Sequence, residues 1–193
     1  MIVWTIGLSL MALTGCAADP APPNTIAQCA AAQAALDDVL TAGSKSDWFF
    51  IRDPEFQFRR FTTDDLSQQQ TENHSGWLGS PPERATIEKL FAEPVGQMAV
   101  VCPEVAARAE ASGAEFISSE ALPPMRDSLT ADGDFIYPRI SIAAPVLNDA
   151  QTEALVPYWA YFSPESGLEA LLLVRRQKDG SWRVVDQVGV SVS

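Results

Sequence analysis

The residues able to do chemistry in this 193-residue chain are few and unevenly placed. There is one histidine, His74, alongside three cysteines (Cys16, Cys29 and Cys102) and 25 aspartates and glutamates. A single histidine excludes the H-E-x-x-H helix and every site that needs two imidazole ligands. A Ser-His-Asp triad would have to use His74, which stands in the polar stretch from Asp64 to Ser80, and no G-x-S-x-G accompanies it. No G-x-G-x-x-G or P-loop is present, so nucleotide binding has no motif behind it, and no C-x-x-C supports dithiol redox work. Asp132-Gly133-Asp134 lacks the further acidic ligands and the closing Glu of an EF-hand loop, and reads as a turn. Paired carboxylates could run glycoside hydrolysis, but no spacing singles out one pair among the 25 acids. The sequence assigns no catalytic residue, no metal ligand and no cofactor.

Cys16 has a different setting. Residues Met1 to Leu13 are almost wholly apolar and carry no charged side chain; Leu13-Thr14-Gly15-Cys16 follows. An apolar run ended by small residues is the pattern of an export signal, and this run is too short to span a bilayer permanently. Leu13-Thr14-Gly15-Cys16 resembles the bacterial lipobox, although no Lys or Arg precedes the apolar run. The resemblance implies cleavage before Cys16, diacylglycerol on its sulfur and acylation of the new amine. The chain would then be lipid-anchored in the bacterial cell envelope, facing the periplasm. Ala17, where an Asp would imply retention in the inner membrane, favours the outer membrane on the same resemblance. A buried N-terminal strand is the alternative for residues 1–13. With Cys16 lipidated, Cys29 and Cys102 are an even pair in an oxidising compartment, and a disulfide between them is expected.

These residues must be positioned by the rest of the chain. Asp19-Pro20-Ala21-Pro22-Pro23-Asn24 predicts an extended tether, so the organisation reads as a signal peptide over 1–15, a lipid-anchored tether over 16–24 and a single domain over 25–193. Thr25 to Ala42 predicts a helix, capped by Asn24 or Thr25, stopped by Gly43, with Ile26, Cys29, Ala30, Leu36, Val39 and Leu40 inward. Asp47 to Phe61 is aromatic and β-prone, and Arg59-Arg60 beside Asp64-Asp65 suggests a surface ion-pair patch or an anion site. Asp64 to Ser80 reads as a loop. Helices are expected from Glu83 to Ala92 (inner face Ile87, Leu90, Phe91) and from Glu104 to Ser112, with a short buried strand or helical turn at Gln97 to Val101.

The C-terminal part is the most patterned. Arg139–Leu147, Glu153–Phe162, Leu168–Gln177 and Ser181–Val192 predict an antiparallel meander of about four strands. Lys178-Asp179-Gly180 is a hairpin turn, because Gly supplies positive φ freely. Pro145 and Pro157 should make the first two strands edge-like, bulged or short. Leu171 to Val174 lack alternation, as in a central strand covered on both faces. In the last strand Trp182, Val184, Asp186, Val188 and Val190 share the face expected to pack on the core. Tyr158, Trp159, Tyr161 and Phe162 are expected to pack in the core, with an aromatic-lined ligand groove as the alternative. The series Pro145-Val146, Ala154-Leu155-Val156, Leu171-Leu172-Leu173 and Asp179 to Val185 resembles the C-terminal strands of bacterial secreted α+β proteins and of cystatin-like domains. The resemblance covers the fold only and carries over no functional residue.

The expected fold class is therefore α+β, with N-terminal helices packed on the C-terminal meander. A net charge of −12 makes nucleic acid and bare anionic lipid poor partners. The expected function is that of a non-catalytic binding module of the envelope, anchored to the membrane through Cys16 and meeting another envelope protein or a small ligand. The alternatives are an envelope hydrolase using carboxylates or His74, and an inhibitor or immunity-type protein whose acidic face covers a basic partner.

Overall fold

A computed structural model of the chain describes residues 23–42, 49–53, 58, 60–62, 66, 76–92, 94–122, 129–133 and 139–192. Cys16, the apolar run before it, His74, Arg59, Asp64 and Asp65 lie outside the described residues.

Helix α1 spans Pro23–Ala42. It begins two residues before the expected Thr25, since proline suits the first helical turn, where its missing N–H would have had no partner. Cys29, Ala31, Ala32, Ala35, Leu36, Val39 and Leu40 are buried against the sheet. Ile26 and Ala30, expected inward, are exposed. The cause is the alanine run: small side chains on every side blur the apolar period, so that Ala31, Ala32 and Ala35 are fully buried while Ala30 is exposed.

The sheet corrects the expectation of about four strands, since seven are present among the described residues. They are β1 (Phe49–Ile51), β2 (Glu115–Ile117), β3 (Arg139–Ile142), β4 (Val146–Leu147), β5 (Glu153–Ser163), β6 (Ser166–Arg176) and β7 (Trp182–Val192). Their order is β2-β1-β3-β5-β6-β7, with β4 also paired to β5. The C-terminal pairs are antiparallel as expected, but β1 joins both β2 and β3 in parallel, so the sheet is mixed. Strands of three residues, such as β1 and β2, are too short to show a period of two.

Both faces of the sheet are covered. On one, α1 and α4 (Pro103–Ala111) pack over Ile140, Val156, Leu172 and Val174. On the other, α2 (Arg84–Ala92), Phe61 and Trp77 pack over Leu155, Leu171, Leu173 and Val188. The unbroken apolar run in β6 is thus a central strand, as its lack of alternation predicts. The last strand departs from its expected single apolar face. Trp182 and Val184 join the α1 side, whereas Val188 and Val190 join the α2 side. The β6–β7 register shifts between Leu173 and Val174, where Val174 pairs with Val184 and Leu173 with Asp186. The skipped Val185 is a bulge, and one extra residue turns the side chains that follow to the other face, up to a second shift between Gly189 and Ser191.

Pro157 lies inside an eleven-residue strand without ending it. Its missing N–H falls opposite Ala143, whose own N–H donates to the Pro157 carbonyl at 2.8 Å. There the partner strand is already broken, between β3 and β4. The Ala144 N–H leaves the ladder and donates to the Gly96 carbonyl at 2.8 Å. The interruption expected from the two prolines is therefore borne by β3 and β4, while β5 runs through.

A buried carboxylate docks α2. Glu153, 3% exposed, accepts from the Glu83 N–H at 2.6 Å, the Thr86 hydroxyl at 3.0 Å and the Arg175 Nε at 2.9 Å. Arg175 also donates to the Ser80 and Pro81 carbonyls at 3.0 and 2.8 Å. A negative group at the start of α2 meets N–H groups that no helical carbonyl can reach. At the other end the Arg60 guanidinium donates to the Ala92 carbonyl at 3.0 Å. Of the two forms expected for Gln97 to Val101 the helical turn is present, as the short helix α3 (Met98–Val101); Gln97, Met98 and Ala99 are buried as expected, but Val100 and Val101 are exposed.

Candidate functional site

An open groove of about 560 Å³ lies where α1, the end of α2, α3 and β4 meet. Its apolar wall is made by Val95, Val101 and Val146, and its polar rim by Gln28, Lys89 and Asp149. Four separate parts of the chain supply it, so sequence spacing gave no sign of it.

Strand β4 forms one side. The Asn148 N–H donates to the Glu153 carbonyl at 2.9 Å, and Leu147 pairs with Ala154 and Val146 with Leu155. In an antiparallel ladder hydrogen-bonded and non-hydrogen-bonded pairs alternate. The backbone of Leu147 therefore points away from β5, towards the groove. The Leu147 carbonyl accepts from Lys89 Nζ at 3.3 Å, and the Pro145 carbonyl accepts from Gln28 Nε2 at 2.8 Å. Lys89 also pairs with Asp149 at 2.5 Å, the Lys89 side chain being about half exposed and that of Asp149 largely in solvent. Long, partly exposed side chains thus cover a short strand edge, an arrangement that blunts the edge against indiscriminate pairing and can be displaced at little cost.

The expected disulfide partners are brought together. The Cys29 and Cys102 Sγ atoms lie 2.05 Å apart, with Cα atoms 5.4 Å apart. Cys102 stands between α3 and α4, so the pair ties α1 to that junction on the groove's flank. The Glu104 carboxylate lies within 4.8 Å of both sulfurs. The cysteine sulfurs are already paired with each other, so this trio is not offered as a metal site.

The aromatic group of β5 is divided between the two sheet faces. Tyr158 is buried on the α1 side, and burial, then the nearby Asp38 carboxylate, push its hydroxyl above the ordinary tyrosine value. Trp159 meets Phe58 with ring centres 4.8 Å apart. Tyr161 and Phe162 are exposed. No aromatic from this strand lines the groove. Asp132-Gly133 is a turn, with the Gly133 N–H donating to the Thr130 carbonyl at 3.1 Å and Gly133 at φ +89°. Among the described residues no helix is long and apolar enough to cross a membrane.

No family model, no curated protein and no solved structure matches this chain.

Proposed function

We propose that this chain is a non-catalytic binding module of the bacterial envelope, anchored by lipid on Cys16, facing the periplasm, and receiving an envelope protein or a small ligand in the groove beside β4. The observation that carries the binding reading is the groove itself. An apolar wall, a backbone edge and a rim of side chains held by weak, exposed contacts are features of recognition surfaces. The lipobox-like Leu13-Thr14-Gly15-Cys16 and the Pro-rich segment behind it support the anchored location.

Site-specific photo-cross-linking in cells tests the groove. A photoreactive amino acid replaces Lys89 or Asp149, and, as a control, Val185 in the β7 bulge. The proposal predicts one dominant adduct from positions 89 and 149 and none of the same mass from 185. Identical adducts from all three positions, or none from any, would overturn it.

A further inference from the structure

We propose that the groove beside β4 takes an extended peptide segment of a partner protein, which joins the sheet as a short added strand along Pro145, Val146 and Leu147. The inference rests on the reading of that groove as a binding surface, and on neither the anchor nor the membrane. The lane of the sheet next to β3 is filled by the chain itself. Phe49 and Phe50 of β1 pair with Arg139 and Ile140. Further along, Gln97 bridges Ala143 in the antiparallel sense, and the Gly96 carbonyl accepts from the Ala144 N–H at 2.8 Å. At Val95 the chain turns aside: its carbonyl accepts from the Phe58 N–H at 3.2 Å, and its side chain packs with the α2-side cluster. The groove begins where the chain leaves that lane. Gly96, Ala144, Pro145, Val146 and Leu147 all line it, so it continues the lane along β4.

The backbone of β4 identifies the occupant. The Pro145 and Leu147 carbonyls are two residues apart on one edge, and each accepts from a helix side chain, Gln28 Nε2 at 2.8 Å and Lys89 Nζ at 3.3 Å. Those two donors stand where the N–H groups of a neighbouring strand would lie. The N–H groups on one edge of an extended chain are also two residues apart, so an added strand supplies donors at the spacing of these carbonyls. The Leu147 N–H, turned the same way, takes a carbonyl of that strand. A helix spends its N–H groups on its own carbonyls and has no such row to offer. In strand addition the main chain supplies affinity and the alternate side chains supply selection. Val95, Val101 and Val146 give the groove a wall for an apolar side chain. Lys89 and Asp149, the charged residues of its lining, have opposite signs, so a segment of little net charge suits it although the whole chain carries −12.

Short random peptides displayed on phage are selected on the full chain with Cys29 and Cys102 paired, and the most enriched peptide is synthesised as the probe. Val101 is 36% exposed, so Val101→Glu is expected to keep the wild-type circular dichroism. It should weaken the probe about tenfold by placing a charge against its apolar residue. N-methylation at each of two peptide amides two residues apart should weaken binding about tenfold, the loss of one hydrogen bond, while N-methylation of the amide between them should leave it within about twofold. Hydrogen exchange at the Leu147 amide should slow about tenfold in the complex. The proposal is overturned if no enriched peptide is rejected by Val101→Glu. It is equally overturned if consecutive N-methylations cost the same and the Leu147 amide exchanges at its free rate. Neither result decides whether the groove is occupied in cells, which the cross-links from positions 89 and 149 report separately.

Discussion

At the residue scale the Cys29–Cys102 pair closes a loop with a sequence separation of 73. In the chain-entropy account such a closure contributes about 4 kcal/mol by restricting the unfolded chain. A Cys29→Ala/Cys102→Ala variant is expected to lose up to that amount in urea unfolding, and dithiothreitol should bring the wild type to the same midpoint. Equal midpoints with and without reductant would show that the two sulfurs are not bonded. Tyr158 offers a pH signature. Its folded-state pKa is raised by burial first and by Asp38 second. The contribution it makes is fully present below the unfolded value near 10 and is lost as pH rises from there through the folded value. Tm should therefore fall above about pH 10 more steeply in the wild type than in Tyr158→Phe; parallel curves would contradict this. The pairing of the two cysteines was legible from parity, once Cys16 is set apart by the residues before it. The groove was not, because Gln28, Lys89, Val101 and Val146 come from elements whose packing no local pattern announces.

At the element scale the docking of α2 depends on one acid. Glu153→Ala would leave the Glu83 N–H, the Thr86 hydroxyl and the Arg175 guanidinium without their acceptor. Arg175 is partly open to solvent, so the expected cost is below the ~3–5 kcal/mol of a broken, fully buried pair and nearer that of unsatisfied buried polar groups, about 2 kcal/mol. Hydrogen exchange should rise over Arg84–Ala92 and leave α1 unchanged; a uniform rise would mean that Glu153 serves the whole fold and not this helix. Gly167 tests the β5–β6 hairpin. A Cβ there would stand 2.9 Å from the Tyr161 ring and 3.2 Å from the Ala160 carbonyl. Gly167→Ala is expected to lower stability by about 1–2 kcal/mol in denaturant unfolding, and an unchanged midpoint would contradict the close packing. The long C-terminal strands were legible because apolar runs and an Asp-Gly turn mark them. Two things hid the rest. The bulge at Val185 reverses the face of half a strand without altering its alternation, and the alanines of α1 erase the stripe that tells a buried helix face from an exposed one.

At the scale of the whole molecule, the α+β domain is a sheet covered on both faces. The first half of α1 carries one member of the cysteine pair and one rim residue of the groove, Gln28. The proposed anchor at Cys16 would hold the groove near the membrane. The account predicts that moving the tether to the C-terminus, with the domain unchanged, abolishes the cross-links formed from positions 89 and 149. Retention of those cross-links would mean that the partner needs no particular orientation. Everything in this arrangement depends on the modification of one cysteine. The most direct measurement is the intact mass of the chain extracted from the membranes of bacteria that make it, for the wild type and for Cys16→Ala. The account predicts a wild-type chain beginning at Cys16 and carrying diacylglycerol and an acyl group, and an unlipidated Cys16→Ala chain that keeps its first 15 residues. A wild-type chain with an unmodified Cys16, whether it begins at Met1 or elsewhere, would contradict it.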